Sequence, residues 1–168
     1  MNKTIKLAVC LALPFSGAAF VPAAIAASAT TTVPITATVV DSCTVNATPM
    51  AFGNYDGISG SILDGVGNIT PTCTSGTVYA VALDAGQGSG ATLASRVLSG
   101  PDGAPLNYGI YTDATRITVW GNGTGGTGWK VASGVGTGQP LMMYGRIPAG
   151  QAAMVGAYSD TVTVTVSY

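Results

Sequence analysis

The side chains that most often run enzyme chemistry are thinly supplied in this chain of 168 residues: it has no His, and all seven of its acidic residues are Asp. Without imidazole, both the group that titrates near neutrality and the commonest metal ligand are missing. Two carboxylates could in principle flank a glycosidic bond. Yet Asp56, Asp64, Asp84, Asp102 and Asp113 sit beside glycine or at the ends of alternating stretches, where Asp ordinarily closes turns. We therefore expect no catalysis, no metal and no cofactor. Gly121-Asn122-Gly123-Thr124-Gly125-Gly126 satisfies G-x-G-x-x-G, but no helical pattern follows it, so the dinucleotide reading fails its context test. Asn46, Asn68 and Asn122 begin short glycosylation-type triplets of the kind that chance supplies. Trp120 and Trp129 could stack on a sugar; Trp120 ends the alternating run Ile117-Thr118-Val119-Trp120 and reads as core. Trp129 is open to both readings, a cap on a sandwich end or a surface contact.

Cysteine usage points to export. Lys3 and Lys6 precede an apolar run from Leu7 to Val21, and Ala24-Ile25-Ala26 supplies the small-x-small pattern of a cleavage site. Residues 1–26 are read as a signal peptide; Pro14 and Pro22 interrupt the run and weaken a membrane-anchor reading. Cys10 leaves with the leader, and Cys43 and Cys73 remain to pair in an oxidising compartment. No CxxC motif supports redox activity. Four of the six basic residues (Arg96, Arg116, Lys130 and Arg146) stay with the mature chain against the seven Asp. Nothing in that balance attracts nucleic acid or anionic lipid.

The mature chain is long enough for one domain with a proper core. Gly, Ala, Thr, Ser and Val dominate it; β-branched residues suit pleated surfaces and Gly breaks helices. Strands are expected over 37–45, 67–73, 77–84, 93–98, 106–112, 115–120, 140–147 and 158–168, with a small one near 129–131. The second should bring Cys73 beside Cys43, the third should be central, the fourth an edge. Pro101-Asp102-Gly103 predicts a turn. Eight or nine short strands separated by turn signals indicate an antiparallel sandwich.

Two alternating stretches lie at opposite ends of the mature chain. Thr161 to Tyr168 places Val162, Val164, Val166 and Tyr168 on one face, and Thr31 to Val39 places Val33, Ile35 and Ala37 in phase. Their patterns are complementary, which suggests that they meet between copies of the molecule. Pro34 cannot donate to a ladder, so pairing there is one-sided or begins after it.

Several stretches together resemble the spore coat protein U domain, the subunit domain of archaic, Csu-type chaperone-usher pili. They are Leu106-Asn107-Tyr108-Gly109-Ile110-Tyr111-Thr112-Asp113, Val119-Trp120-Gly121-Asn122-Gly123-Thr124, Tyr144-Gly145-Arg146-Ile147-Pro148-Ala149-Gly150-Gln151 and Gly156-Ala157-Tyr158-Ser159-Asp160. The resemblance implies an all-β, incomplete immunoglobulin-like β-sandwich that lacks its final strand and is completed by donor-strand complementation. It divides the chain into the leader (1–26), an N-terminal donor-strand extension (27–38) and the sandwich domain (39–168). Val33, Ile35 and Ala37 take the donor role; Val162, Val164, Val166 and Tyr168 take the acceptor role. It further implies a pilus subunit at the cell surface, reached through the periplasm, that supports adhesion and biofilm formation. Its partners would be identical or related subunits, a periplasmic chaperone and an outer-membrane usher, with no small-molecule substrate. The alternatives are a tip adhesin or lectin-like module using Trp129, and a self-complemented coat or matrix protein. Tyr158 is a candidate tyrosine corner, its hydroxyl bonding back to nearby backbone.

Overall fold

The computed structural model describes residues 26–58 and 61–168; apart from Ala26, the leader lies outside them. Residues 26–37 form one unit, without regular secondary structure and exposed throughout. The second unit begins at Thr38 and holds eight strands: β1 (Cys43–Thr48), β2 (Leu63–Cys73), β3 (Val78–Leu83), β4 (Arg96–Ser99), β5 (Pro105–Tyr111), β6 (Lys130–Ser133), β7 (Leu141–Ile147) and β8 (Val164–Ser167). Among the described residues the only helical element is a 3-10 turn, Pro101–Gly103.

The strands form two sheets, ordered β1-β2-β7-β5-β4 and β6-β3-β8, and every ladder is antiparallel. Alternation explains the burial: Tyr79, Val81 and Leu83 of β3 face inward, as do Leu106, Tyr108 and Ile110 of β5. β3 is central to its sheet and β4 is an edge, as their sequences suggested. Cys43 and Cys73 pair directly across the β1–β2 ladder and are joined by a disulfide. Cross-linking residues 30 apart stabilises the fold by about 3–4 kcal/mol in the chain-entropy account.

Several elements differ from the sequence reading. The first strand begins at Cys43 rather than Ala37, because its ladder partner β2 ends at Cys73. The alternating stretch 115–120 forms no ladder strand; only Val119 and Trp120 make isolated bridges. Asp113 bends the chain there by accepting from the Thr115 hydroxyl and the Thr118 N–H, and Arg116 takes a left-handed φ of 57°. The last strand is confined to 164–167, since Ser159 pairs with Ser99 of β4 while Val164 pairs with Leu83 of β3. Between them the chain passes from one sheet to the other.

Trp120 is fully buried, and its indole N–H donates to the Val81 carbonyl at 3.0 Å. The tyrosine corner is present: the Tyr158 hydroxyl donates to the Met154 carbonyl at 3.0 Å, and its ring lies so close to Gly100 that a Cβ there would stand 2.3 Å from it.

Candidate functional site

A groove of about 1420 Å³ opens between the two sheets. One wall is the inner face of the larger sheet, with Leu106, Tyr108 and Ile110 of β5 and Met143 and Ile147 of β7. The other carries Leu83 of β3 with Val162 and Val164. Residues 49–58 run along it; Phe52 packs over Gly65 of β2 and Gly145 of β7, and Met50 over Gly67 of β2 and Gly145. A Cβ at Gly145 would lie 2.2 Å from Met50 Sδ and 2.7 Å from the Phe52 ring, so only glycine leaves this seat open. Phe52 also meets Tyr108 edge-on, with ring centroids 5.8 Å apart. The lining is thus mostly apolar, and β8 ladders with β3 alone, which leaves it an edge strand beside the groove.

Polar groups concentrate at the end of the groove where the chain changes sheets. The Tyr108 hydroxyl donates to Asp160 Oδ2 at 2.6 Å, while the N–H groups of Gln87 and Thr161 donate to Asp160 Oδ1, each at 2.7 Å. Burial and this bond to a carboxylate both push the Tyr108 phenol well above its ordinary range. Asp84 Oδ1 accepts from the N–H groups of Thr163 (2.8 Å) and Gly86 (3.0 Å). Burial opposes its ionisation, but those bonds and the nearby Arg96 charge outweigh it, so the carboxyl sits below its usual range.

Arg96 lies beneath, fully buried. It donates to three main-chain carbonyls: Nε to Asp84 (2.9 Å), Nη1 to Leu93 (3.3 Å) and Nη2 to Trp120 (2.8 Å). Burial lowers its pKa against the raising influence of Tyr108, Asp84 and Asp160. Nothing in the sequence singled Arg96 out, because an arginine that serves carbonyls carries no motif.

Asp64, read from sequence as a turn residue, instead lies within β2 opposite Arg146 of β7. It accepts two bonds from that guanidinium, at 2.8 and 2.9 Å, and Arg116 approaches it at 3.3 Å. The bond from Arg146 holds the Asp64 carboxyl below its usual range. Asp84 does make the expected turn bond, to Gly86, and adds Thr163. Among the described residues no group of three metal-ligating side chains occurs.

The residues assigned donor and acceptor roles are placed as follows. Val33 is 76% exposed, Ile35 93%, and Ala37 is exposed too. Val162 and Val164 line the groove, Val166 packs half-buried against the core, and Tyr168 ends the chain 62% exposed. Trp129 is 51% exposed and lies over Gly123, away from the groove lining. Sequence reasoning missed the facing wall and the contributions of Met50 and Phe52. The alternation in 106–110 marked a strand, but no local signal says which inward face is covered by what.

Comparison with known proteins bears on this arrangement. The sequence model described as Spore Coat Protein U domain matches residues 29–165. The chain is 34% identical over 166 residues to Protein U of Myxococcus xanthus, covering 89% of this chain and 90% of that protein. Among solved structures it is similar to a chain in the crystal structure of the CsuC-CsuE chaperone-tip adhesion subunit pre-assembly complex, from archaic chaperone-usher Csu pili of Acinetobacter baumannii. That similarity has a TM-score of 0.56 at 21% identity and covers 78% of this chain but only 40% of the other; at that identity it speaks to fold alone. The two antiparallel sheets, the early disulfide and the match over residues 29–165 together establish that this chain belongs to the spore coat protein U domain family.

Proposed function

We propose that this protein is a structural subunit of an archaic chaperone-usher pilus, polymerising by strand donation and supporting surface adhesion and biofilm formation. The sandwich is read as immunoglobulin-like and short of its final strand, with residues 39–168 as the acceptor domain. Residues 27–38 of one copy, through Val33, Ile35 and Ala37, would enter the groove of another and pair along β8. The observation that carries this reading is the apolar groove bordered by an edge strand, coupled to an exposed segment with alternating apolar side chains.

Physical magnitudes favour it. Each small apolar side chain buried in the groove contributes roughly 1–3 kcal/mol, and each backbone bond added to β8 about 1 kcal/mol net. An unfilled groove is correspondingly unstable, and an open strand edge invites aggregation. A periplasmic chaperone would cover it before an outer-membrane usher exchanges it for the next subunit; the similar fold noted above is in a complex with the chaperone CsuC. The disulfide suits an oxidising compartment on that route, and residues 1–26 are read as the signal that opens it.

The decisive experiment compares the exported chain with one lacking residues 27–38. The intact chain should form multimers that survive denaturing gels without reductant, while the truncated chain should bind chaperone and stay monomeric. Multimers of the truncated chain would overturn the reading. A second reading, a coat or matrix protein that fills its own groove, is favoured by the description of the matching family model as Spore Coat Protein U domain. It predicts that the intact chain stays monomeric and that truncation destabilises it.

A further inference from the structure

Between Ser159, which still pairs with β4, and Val164, which already pairs with β3, the chain has no ladder partner on either sheet except at Thr163, whose carbonyl accepts from the Asp84 N–H at 3.1 Å. Side-chain carboxylates take the place of the missing strand. Asp160 fixes the start of the crossing by gathering Thr161 N–H, Gln87 N–H and the Tyr108 hydroxyl onto one side chain. Asp84 fixes its end by accepting from Thr163. The loop after β3 is pressed against the first of these: a Cβ at Gly86 would stand 2.1 Å from Asp160 Oδ2. Val162 lies within this tethered span and Val164 directly follows it, and both face the groove.

We propose that Asp84 and Asp160 are positioning residues for strand uptake, holding the sheet-to-sheet crossing so that Val162, Val164 and the open edge of β8 are presented in register to an incoming strand. The inference rests on the strand-donation reading. Its physical basis is preorganisation: a segment tied down before binding does not spend ordering entropy when the partner strand arrives. Without the carboxylates, the Thr161 and Thr163 N–H groups have no protein acceptor in the crossing, and the wall that bears Val162 is free to move.

The test uses the full mature chain and a fluorescent synthetic peptide of residues 27–38, with uptake rate and urea midpoint measured on the same samples. Asp84→Ala and Asp160→Ala should each slow uptake about tenfold, equivalent to about 1.4 kcal/mol and within the worth of one hydrogen bond to a charged group. Asp84→Asn keeps an oxygen for Thr163 and Gly86 and should restore uptake to within about twofold of the parent. Asp64→Ala, which breaks an ion pair outside the groove, should change uptake by less than about twofold even where it lowers the midpoint. Uptake by both Asp→Ala variants within that same margin, or a slowing by Asp64→Ala that matches theirs at equal midpoint loss, overturns the positioning role and leaves strand donation standing. If the parent itself takes up no peptide and forms no multimers, strand donation fails and the positioning role with it. Should the alanine variants not fold, slow uptake by the folded Asp84→Asn protein also counts against the inference.

Discussion

Replacing Arg96 with Met gives the sharpest test of how the two sheets are joined. Methionine approximates the aliphatic stem but offers no donor, so the Asp84, Leu93 and Trp120 carbonyls lose their guanidinium partner together. The bond to Trp120 is buried and those to Asp84 and Leu93 are partly so, and each carbonyl left unsatisfied costs up to roughly 1–3 kcal/mol. Against this stands the relief of no longer burying a charge, which for buried ionic groups recovers several kcal/mol. Three such losses, roughly 3–9 kcal/mol together, less that relief leave a net loss of about 2–5 kcal/mol, a large part of the roughly 5–15 kcal/mol that holds a domain together. At a urea slope near 2 kcal/mol per molar this lowers the midpoint by about 2 M. Arg96→Lys should fall between, because a compact ammonium cannot reproduce the planar fork that reaches three diverging oxygens. Arg146→Met, on the exposed ion pair, serves as control and should cost under about 1 kcal/mol. If Arg96→Met unfolds at the same urea concentration as the parent, the guanidinium does not secure those carbonyls and the reasoning is wrong.

Other outcomes follow from the same structure. Reduction of the disulfide, or Cys43→Ser with Cys73→Ser, should lower stability by about 3–4 kcal/mol in a urea titration, with no effect beyond that on the secondary-structure signal at low denaturant. Asp64 and Asp84 both ionise more readily in the fold than in the open chain, so the stability they contribute is complete above the ordinary Asp pKa, near 3.9, and is lost as pH falls through their lower folded values. Thermal unfolding followed across mildly to strongly acid buffers should show that decline, and Asp84→Asn should flatten it. The Tyr108 phenol is raised in the fold, so its share of stability is complete below about pH 10 and declines as pH climbs above that value; ultraviolet titration should detect its ionisation only with unfolding. Trp129→Phe should leave stability within about 0.5 kcal/mol, whereas Trp120→Phe, which removes the buried indole donor to the Val81 carbonyl and shrinks a fully buried side chain, should cost about 1–3 kcal/mol, read as a shift in denaturation midpoint.

Much of the sandwich was legible because period-two alternation and paired cysteines are local signals with long reach. Tyr79, Val81 and Leu83 announced a central strand, and Cys43 and Cys73 fixed the pairing of β1 with β2. The same alternation misled at Thr115–Trp120, where the Asp113 bonds and the left-handed Arg116 turn the chain before a ladder can form. It misled again across 158–163, because alternation reports which side chains share a face and says nothing of which sheet supplies the neighbour. That Val162 and Val164 share a face was readable from their spacing, and both line the groove. The wall opposite was not, since it is assembled from β5, β7 and the 49–58 segment, which meet only in three dimensions. Asp64 was misassigned by its adjacent glycine: Gly65 serves there as the seat of Phe52, not as a turn residue.

The position of the disulfide has a mechanical consequence. If leading segments link copies into a fibre, as proposed above, tension would enter each domain from the side of residue 38 and meet Cys43 as the first residue of β1. The sulfur bridge diverts that load at once into β2, which is laddered on its far side to β7. Thr44 to Thr48 are thereby shielded, and the edge strand cannot be unzipped one hydrogen bond at a time. Oxidation of this pair thus converts a peeling geometry into a covalent tether anchored inside the five-stranded sheet.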